Sequence, residues 1–315
     1  MQSRLAEGIA RNVLIAGATG FVGGRLARAL LGEGVAVRCL VRDPAKARAL
    51  EEAGAELHVG DVTDAGSLKG AGAGVGVAYF LVHLMAGGEG YAERERQGAV
   101  SFARMAKREG VERVVYLGGL GDSAASEHLQ SRHAAARVLA LEGPPLTYFR
   151  AAMIVGAASE SYRTLRYLVA RLPVMVAPAW LRTPTQPIGI DAVVEYLRRA
   201  PGVPGSVGGE VQIGGPDVLT YDEMLDRMAV AMGKRPPLRV RVPMLTPWLS
   251  SLWLGLVTPV DTRVARPLVE GLTTPTVVTD PSGAEPFGVS PEPFDEALRR
   301  ALVEESPGFP SEGRG

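Results

Sequence analysis

Over residues 1–155 short β-branched runs alternate with amphipathic stretches, a pattern that predicts βαβ units and a parallel sheet. Val13–Ala16 reads as the first strand. Phe21–Leu31 reads as the helix after it, because Val22, Leu26 and Leu30 recur every four residues on one face. Gly32 and Gly34 stop that helix, and Val35–Val41 forms the second strand. Further strands are expected at Glu56–Val59, Val75–Val82, Arg113–Leu117 and Leu146–Ile154, with a long helix over Glu93–Arg108. Beyond Gly156 the texture changes: Tyr162–Leu172 is helical, and prolines cluster from Pro173 to Pro187. The chain is expected to return to the sheet at 188–194 and 210–213, two short apolar runs between Gly and Pro breakers. Thr220 and Glu223 form a capping box that opens a helix running to Met232. The expected division is a dinucleotide-binding unit over 1–155, a substrate or lid region over 156–305, and a frayed polar tail over 306–315.

Charge and composition narrow the classes of function. With 34 basic and 34 acidic residues in 315, the chain lacks the basic stripe expected of a nucleic-acid binder. Cys39 is the sole cysteine, which excludes an internal disulfide. His58, His83, His128 and His133 show no ligand spacing joined to carboxylates, so no metal site is expected. The expected compartment is the cytosol, since no signal-peptide pattern precedes the first strand. Pro243–Val260 is uncharged and carries Trp248, Leu252, Trp253 and Leu256. Its prolines leave a helical piece too short to span a bilayer, which makes a lid, an oligomer contact or a membrane-surface contact the expected role.

The chemistry concentrates at Gly17, Gly20 and Gly23, three apart between a strand and its helix. Glycine permits the tight turn and lets backbone N–H groups approach a diphosphate, while the helix N-terminus adds partial positive charge. The predicted cradle is Gly17, Thr19, Gly20, Phe21, Val22 and Gly23. At the end of the second strand Arg42, with Lys46, offers two cations to a 2′-phosphate, which favours NADP; Asp43 leaves NAD as the alternative. Asp61 and Val62 are placed to flank the adenine, although Asp61 reads equally well as an Asx-type turn. Leu81, Val82 and His83, with Gly118 and Gly119, complete the crevice at the ends of the fourth and fifth strands.

The runs Gly17-Ala-Thr-Gly-Phe-Val-Gly23, Val41-Arg-Asp-Pro44 and Gly60-Asp-Val62 resemble those of extended and atypical short-chain dehydrogenase/reductases. Tyr79-Phe-Leu-Val-His83, Val115-Tyr-Leu-Gly-Gly-Leu120 and Ile213-Gly-Gly-Pro-Asp217 are similar to the NmrA-like group and to bacterial relatives of the NADPH-binding 39-kDa subunit of respiratory complex I. The resemblance implies a Rossmann-type doubly wound parallel sheet of about seven strands with a smaller C-terminal substrate region. It also implies a Tyr-x-x-x-Lys pair and a Ser or Thr at the end of the fifth strand, and here the chain departs from the family. The matching positions read His128 and Arg132, and the strand ends in Gly118 and Gly119.

Arg132 can hold a ribose hydroxyl but cannot relay a proton, because it stays charged. His128 titrates near neutrality, and His83 ends the fourth strand on the ligand-binding edge, so these two are the candidate proton donors. Tyr91 and Asp122 are weaker candidates, Met153 and Arg150 are expected near the nicotinamide end, and His133 is expected to face solvent. Arg150 could instead brace a neighbouring carboxylate. The leading expectation is an oxidoreductase acting on a hydrophobic carbonyl or quinone-like small molecule. A non-catalytic NADP(H) sensor or partner-stabilising protein is the alternative, and a nucleotide-sugar epimerase ranks third because it needs the missing tyrosine and lysine.

Overall fold

A computed structural model describes residues 12–83, 90–121, 126–241 and 272–305. The first unit runs β1 (Asn12–Ala16), α1 (Phe21–Gly32), β2 (Ala36–Val41), a helical turn at Pro44–Ala47, α2 (Arg48–Glu52) and β3 (Glu56–Val59). It continues with β4 (Val77–Phe80), α3 (Tyr91–Arg108), β5 (Arg113–Gly119), α4 (Glu127–Glu142) and β6 (Leu146–Ala151). Then come β7 (Ile154–Val155), α5 (Glu160–Arg171), β8 (Val174–Ala177), β9 (Pro184–Thr185), β10 (Ile188–Gly189) and α6 (Ile190–Arg199). The last described elements are β11 (Glu210–Ile213), β12 (Leu219–Thr220), α7 (Tyr221–Ala231), β13 (Leu238–Arg241) and α8 (Phe294–Glu305).

Seven strands form one sheet in the order β11-β6-β5-β4-β1-β2-β3, and every pairing in it is parallel. Because both faces are covered, alternate residues of each strand feed different cores. Val13 and Ile15 pack with Leu26 and Leu30 of α1 and with Val193 and Leu197 of α6. Leu14 and Ala16 pack on the opposite face with Phe102 and Met105 of α3 and with Ala135 and Leu139 of α4. A third core joins Tyr162 and Leu165 of α5 to Met224, Leu225 and Met228 of α7 and to Phe294 and Leu298 of α8. Trp180 belongs to that core, edge-on to Tyr221 at 6.1 Å, and is a packing residue. No helix among the described residues is long and apolar enough to cross a membrane.

Two expectations about the sheet need correction. Residues 210–213 do join it, as β11 beside β6, but 188–194 do not. Only Ile188–Gly189 is extended, paired with Ile154–Val155 outside the main sheet, and Ile190 already opens α6. The apolar residues of that run suit a helix as well as a strand: Ile190 and Val193 lie three apart and both are buried. The expected Leu146–Ile154 strand is likewise broken between Ala151 and Ile154. Pro243–Val260, Asp122 and the tail at 306–315 lie outside the described residues.

Candidate functional site

The sheet order reverses between β1 and β4, where the connections depart in opposite directions and leave a crevice at the carboxyl ends of the strands. A cleft of about 570 Å³ occupies this place. Gly17 turns the chain out of β1 with φ +92°, and a Cβ there would lie 2.6 Å from the Leu81 carbonyl oxygen. At Gly23 a Cβ would collide with the Gly17 carbonyl, so α1 can pack this close to the strand only with glycine. Gly20 caps α1 without a side-chain hydrogen bond, and Gly24 is the first amide of the helix to bond back, to Gly20 at 2.9 Å. Among the described residues nothing accepts from the N–H groups of Phe21, Val22 and Gly23. Three amides at a positive helix end, all from residues that line the cleft, suit a diphosphate.

One flank of the cleft is formed by Leu40, Val41, Arg42, Gly60, Asp61 and Val62, from the ends of β2 and β3. Asp61 makes the Asx-type turn, accepting from the Thr63 amide at 2.9 Å and the Thr63 hydroxyl at 2.8 Å, while its other oxygen stands 3.9 Å from Arg42. Asp43 does not line the cleft, and its carboxylate caps the following helical turn through the Ala45 amide at 3.0 Å. Lys46 is exposed in that turn and is the one predicted cofactor residue that does not line the cleft.

The other flank is formed at the ends of β4 and β5, where His83, His128 and Arg132 meet. The two imidazoles lie 5.0 Å apart, centroid to centroid. Burial, with the nearby Arg132 charge, pushes His128 down to about 4. His83 is also lowered, by desolvation first and then by Arg132 and His128. His83 is open along the cleft and His128 half-buried, so water relieves the first shift more than the second. Both rings are therefore neutral near pH 7, and Nδ1 of His128 is buried without a hydrogen-bond partner among the described residues. Arg132 is held beneath them, donating to the Val82 carbonyl at 3.3 Å, to the Leu117 carbonyl and to the Glu95 carboxylate at 3.0 Å.

The missing Ser or Thr at the end of β5 has a steric explanation. A Cβ on Gly118 would stand 2.7 Å from the Tyr148 hydroxyl, and one on Gly119 would stand 2.6 Å from a Leu129 methyl. Tyr148 and Leu129 have taken the space. His133 does not face solvent: it is half-buried, with Nε2 2.9 Å from the Gly121 carbonyl and Nδ1 3.1 Å from the Tyr148 hydroxyl. Arg150 is also withdrawn from the cleft, bound to Glu210 at 2.5 Å and to the Gly121 carbonyl at 2.8 Å. Tyr91 opens α3 with a buried ring and does not line the cleft. A larger depression of about 1010 Å³ lies behind these residues, over α4, β6 and β11, but neither the glycine turn nor the imidazole pair reaches it.

The remaining lining went unseen in sequence. Leu120, Leu129, Met153, Tyr221, Leu272 and Thr276 close the histidine end, and Ala158 to Ser161 at the start of α5 face the same space. Of these only Met153 was foreseen. The others come from distant parts of the chain, and the only local signal among them is Ser159, a predictable N-cap ahead of α5.

An open parallel sheet with a glycine turn at its switch point defines a Rossmann-type dinucleotide-binding protein. Residues 17–165, just under half of the chain, match the family model described as NAD(P)H-binding. A stretch of 66 residues is 46% identical to the photosystem II assembly factor Ycf39 of Cyanophora paradoxa. That match covers 21% of this chain and 21% of the relative, so the chain spans about a fifth of the length of the curated relative it matches. Solved structures share the whole fold. The NADPH-dependent quinone oxidoreductase of Escherichia coli, complexed with NADPH, aligns with a TM-score of 0.74 at 20% identity, over 92% of this chain and 99% of the other. The triphenylmethane reductase of Citrobacter sp., complexed with NADP(H), gives 0.73 at 18% identity, over 92% and 100%. A nucleoside-diphosphate-sugar epimerase from Staphylococcus aureus gives 0.72 at 16% identity, over 91% and 99%.

Proposed function

We propose that the protein is an NADPH-dependent reductase of the atypical short-chain, NmrA-like type, working in the cytosol on an uncharged, hydrophobic acceptor of quinone or conjugated-carbonyl character. The observation that carries this reading is a single cleft with the glycine cradle and α1 amides at its centre, the Arg42 flank to one side and a neutral imidazole pair among apolar side chains to the other. The amides of Phe21, Val22 and Gly23 would hold the diphosphate, and Arg42 the 2′-phosphate. When bound, the reduced nicotinamide supplies a hydride. The acceptor gains two electrons with that hydride, and a proton reaches its oxygen from solvent through the imidazole of His128, with His83 beside it.

The choice of acceptor follows from the weakness of the acid. An imidazole that is neutral at pH 7 gives little acid assistance to hydride transfer, so the acceptor must itself stabilise the anion that forms, as a quinone or conjugated carbonyl does in its hydroquinone or enol anion and a simple ketone, which yields an alkoxide, does not. Leu120, Leu129, Met153 and Leu272 favour an apolar body for the same molecule. The test is NADPH oxidation against quinones, conjugated enones, simple ketones and aldehydes, with His128→Ala and His83→Ala alongside. Turnover on the conjugated acceptors, reduced about tenfold or more in His128→Ala, is expected; tight NADPH binding with no turnover on any acceptor rejects the reductase.

In that event a second reading takes over, an NADP(H)-binding protein that stabilises a partner. Two observations favour it: the stretch similar to a protein named as an assembly factor, and side chains filling the space of the family's Ser or Thr at the end of β5.

A further inference from the structure

Beneath the histidine end of the cleft lies a carboxylate with no place in the reaction above. Glu95, five residues into α3, has no exposed surface. One of its oxygens accepts from the Ser131 hydroxyl at 2.9 Å and the other from the Arg132 guanidinium at 3.0 Å. The same guanidinium donates to the carbonyls of Val82, just past β4, and of Leu117 in β5, and lies over the Tyr116 ring at 5.0 Å. One side chain thus ties together the ends of two neighbouring strands, and Val82, Leu117 and Arg132 all line the cleft. Buried ion pairs are a poor route to stability, since apolar residues of the same volume usually do as well. What such a pair adds is a fixed direction: a planar fork whose orientation is set by a partner that cannot move.

We propose that Glu95 is a positioning residue: by anchoring Arg132 it fixes the strand ends that form the floor beneath the nicotinamide half of the dinucleotide, and it offsets part of the arginine charge where an uncharged acceptor must enter. Both hydrogen-bond partners of Glu95, Ser131 and Arg132, lie on α4, and neither belongs to the adenosine flank, whose lining comes from β2, β3 and the turns after them. It affects one half of the cofactor and not the other. The inference rests on the cofactor reading above, and its test separates the two.

The full-length protein is titrated calorimetrically with NADPH and with 2′,5′-ADP, which carries only the adenosine and 2′-phosphate end. In Glu95→Gln, NADPH affinity is expected to fall about tenfold, as for loss of a hydrogen bond to a charged group, with 2′,5′-ADP affinity unchanged within about twofold. Arg132→Lys keeps the charge but lacks the fork, and it carries the same expectation should Glu95→Gln not fold. Unchanged NADPH binding in both variants, or equal loss of both ligands, overturns the positioning role. Absence of 2′,5′-ADP binding in the parent protein instead removes the cofactor reading beneath it.

Discussion

The two ends of the cleft are built from different materials. At the diphosphate the contacts are backbone amides, and the sequence contributes mainly by withholding side chains at Gly17 and Gly23. At the histidine end the contacts are side chains brought from the ends of β4 and β5, from α4 and from the third core, with Arg132 held in place by Glu95 of α3. The first end is local in sequence and has no room for a side chain at Gly17 or Gly23. The second is dispersed, so its side chains can be exchanged one at a time. A shared cofactor with differing acceptors among related folds is the expected outcome of that division.

The sharpest way to break the comparison is at Gly23. A methyl group there collides with the Gly17 carbonyl, so either α1 retreats or the turn opens, and in both cases the three amides lose their common target. Gly23→Ala is expected to weaken NADPH by about a hundredfold in a calorimetric titration. Gly20→Ala is the control: its nearest contact, the Gly17 carbonyl oxygen, is at 3.2 Å, so a smaller loss is expected there. Equal, small effects of the two variants would show that the cradle is not made by close backbone approach.

That contrast also explains what could be read before folding. The central strands β1, β4, β5 and β6 are buried on both faces and so appear as apolar runs, and the turn after β1 is a three-glycine pattern within seven residues. Both are local signals. Residues 188–194 misled because a short apolar run fits either period, and only the packing of Val193 and Leu197 against α1 decides for a helix. Glu95 was invisible for another reason. On α3 it sits among charged residues, Glu93, Arg94 and Arg96, and nothing local distinguishes the carboxylate that faces the protein from those that face water. His133 was misplaced because its partners, Tyr148 and Gly121, come from other segments of the chain, whereas Arg150 braces the Glu210 carboxylate, the alternative that its sequence position left open.

The histidine end can be sharpened by acid. Folding holds His128 at about 4, below the ordinary value of 6.5, so the unfolded chain binds the extra proton between these two pH values. The stability this represents is fully present above 6.5 and is lost as pH falls toward 4. For a half-buried ring the expected loss is about 2 kcal/mol over that interval. Urea denaturation of the parent protein and of His128→Asn at pH 7 and pH 4.5 should show the parent losing more stability on acidification. Parallel pH dependence in the two proteins would mean that His128 is as well solvated folded as unfolded.

The smallest effect is expected where the first end of the cleft does depend on a side chain. Arg42 is 72% exposed and its ion pair with Asp61 is long, at 3.9 Å, so it adds little to stability and keeps its donors available for an anion. Asp43, the one residue arguing for NAD, is engaged at the Ala45 amide and does not oppose a 2′-phosphate. Arg42→Ala should therefore lower the NADPH-to-NADH affinity ratio by about tenfold, or about 1.4 kcal/mol, with NADH nearly unaffected. Because the contact is open to solvent, raising the salt from about 0.05 to 0.5 M should narrow the ratio in the parent protein and hardly at all in the variant. An unaltered ratio in Arg42→Ala would mean that the adenosine end, like the diphosphate, is specified by backbone alone.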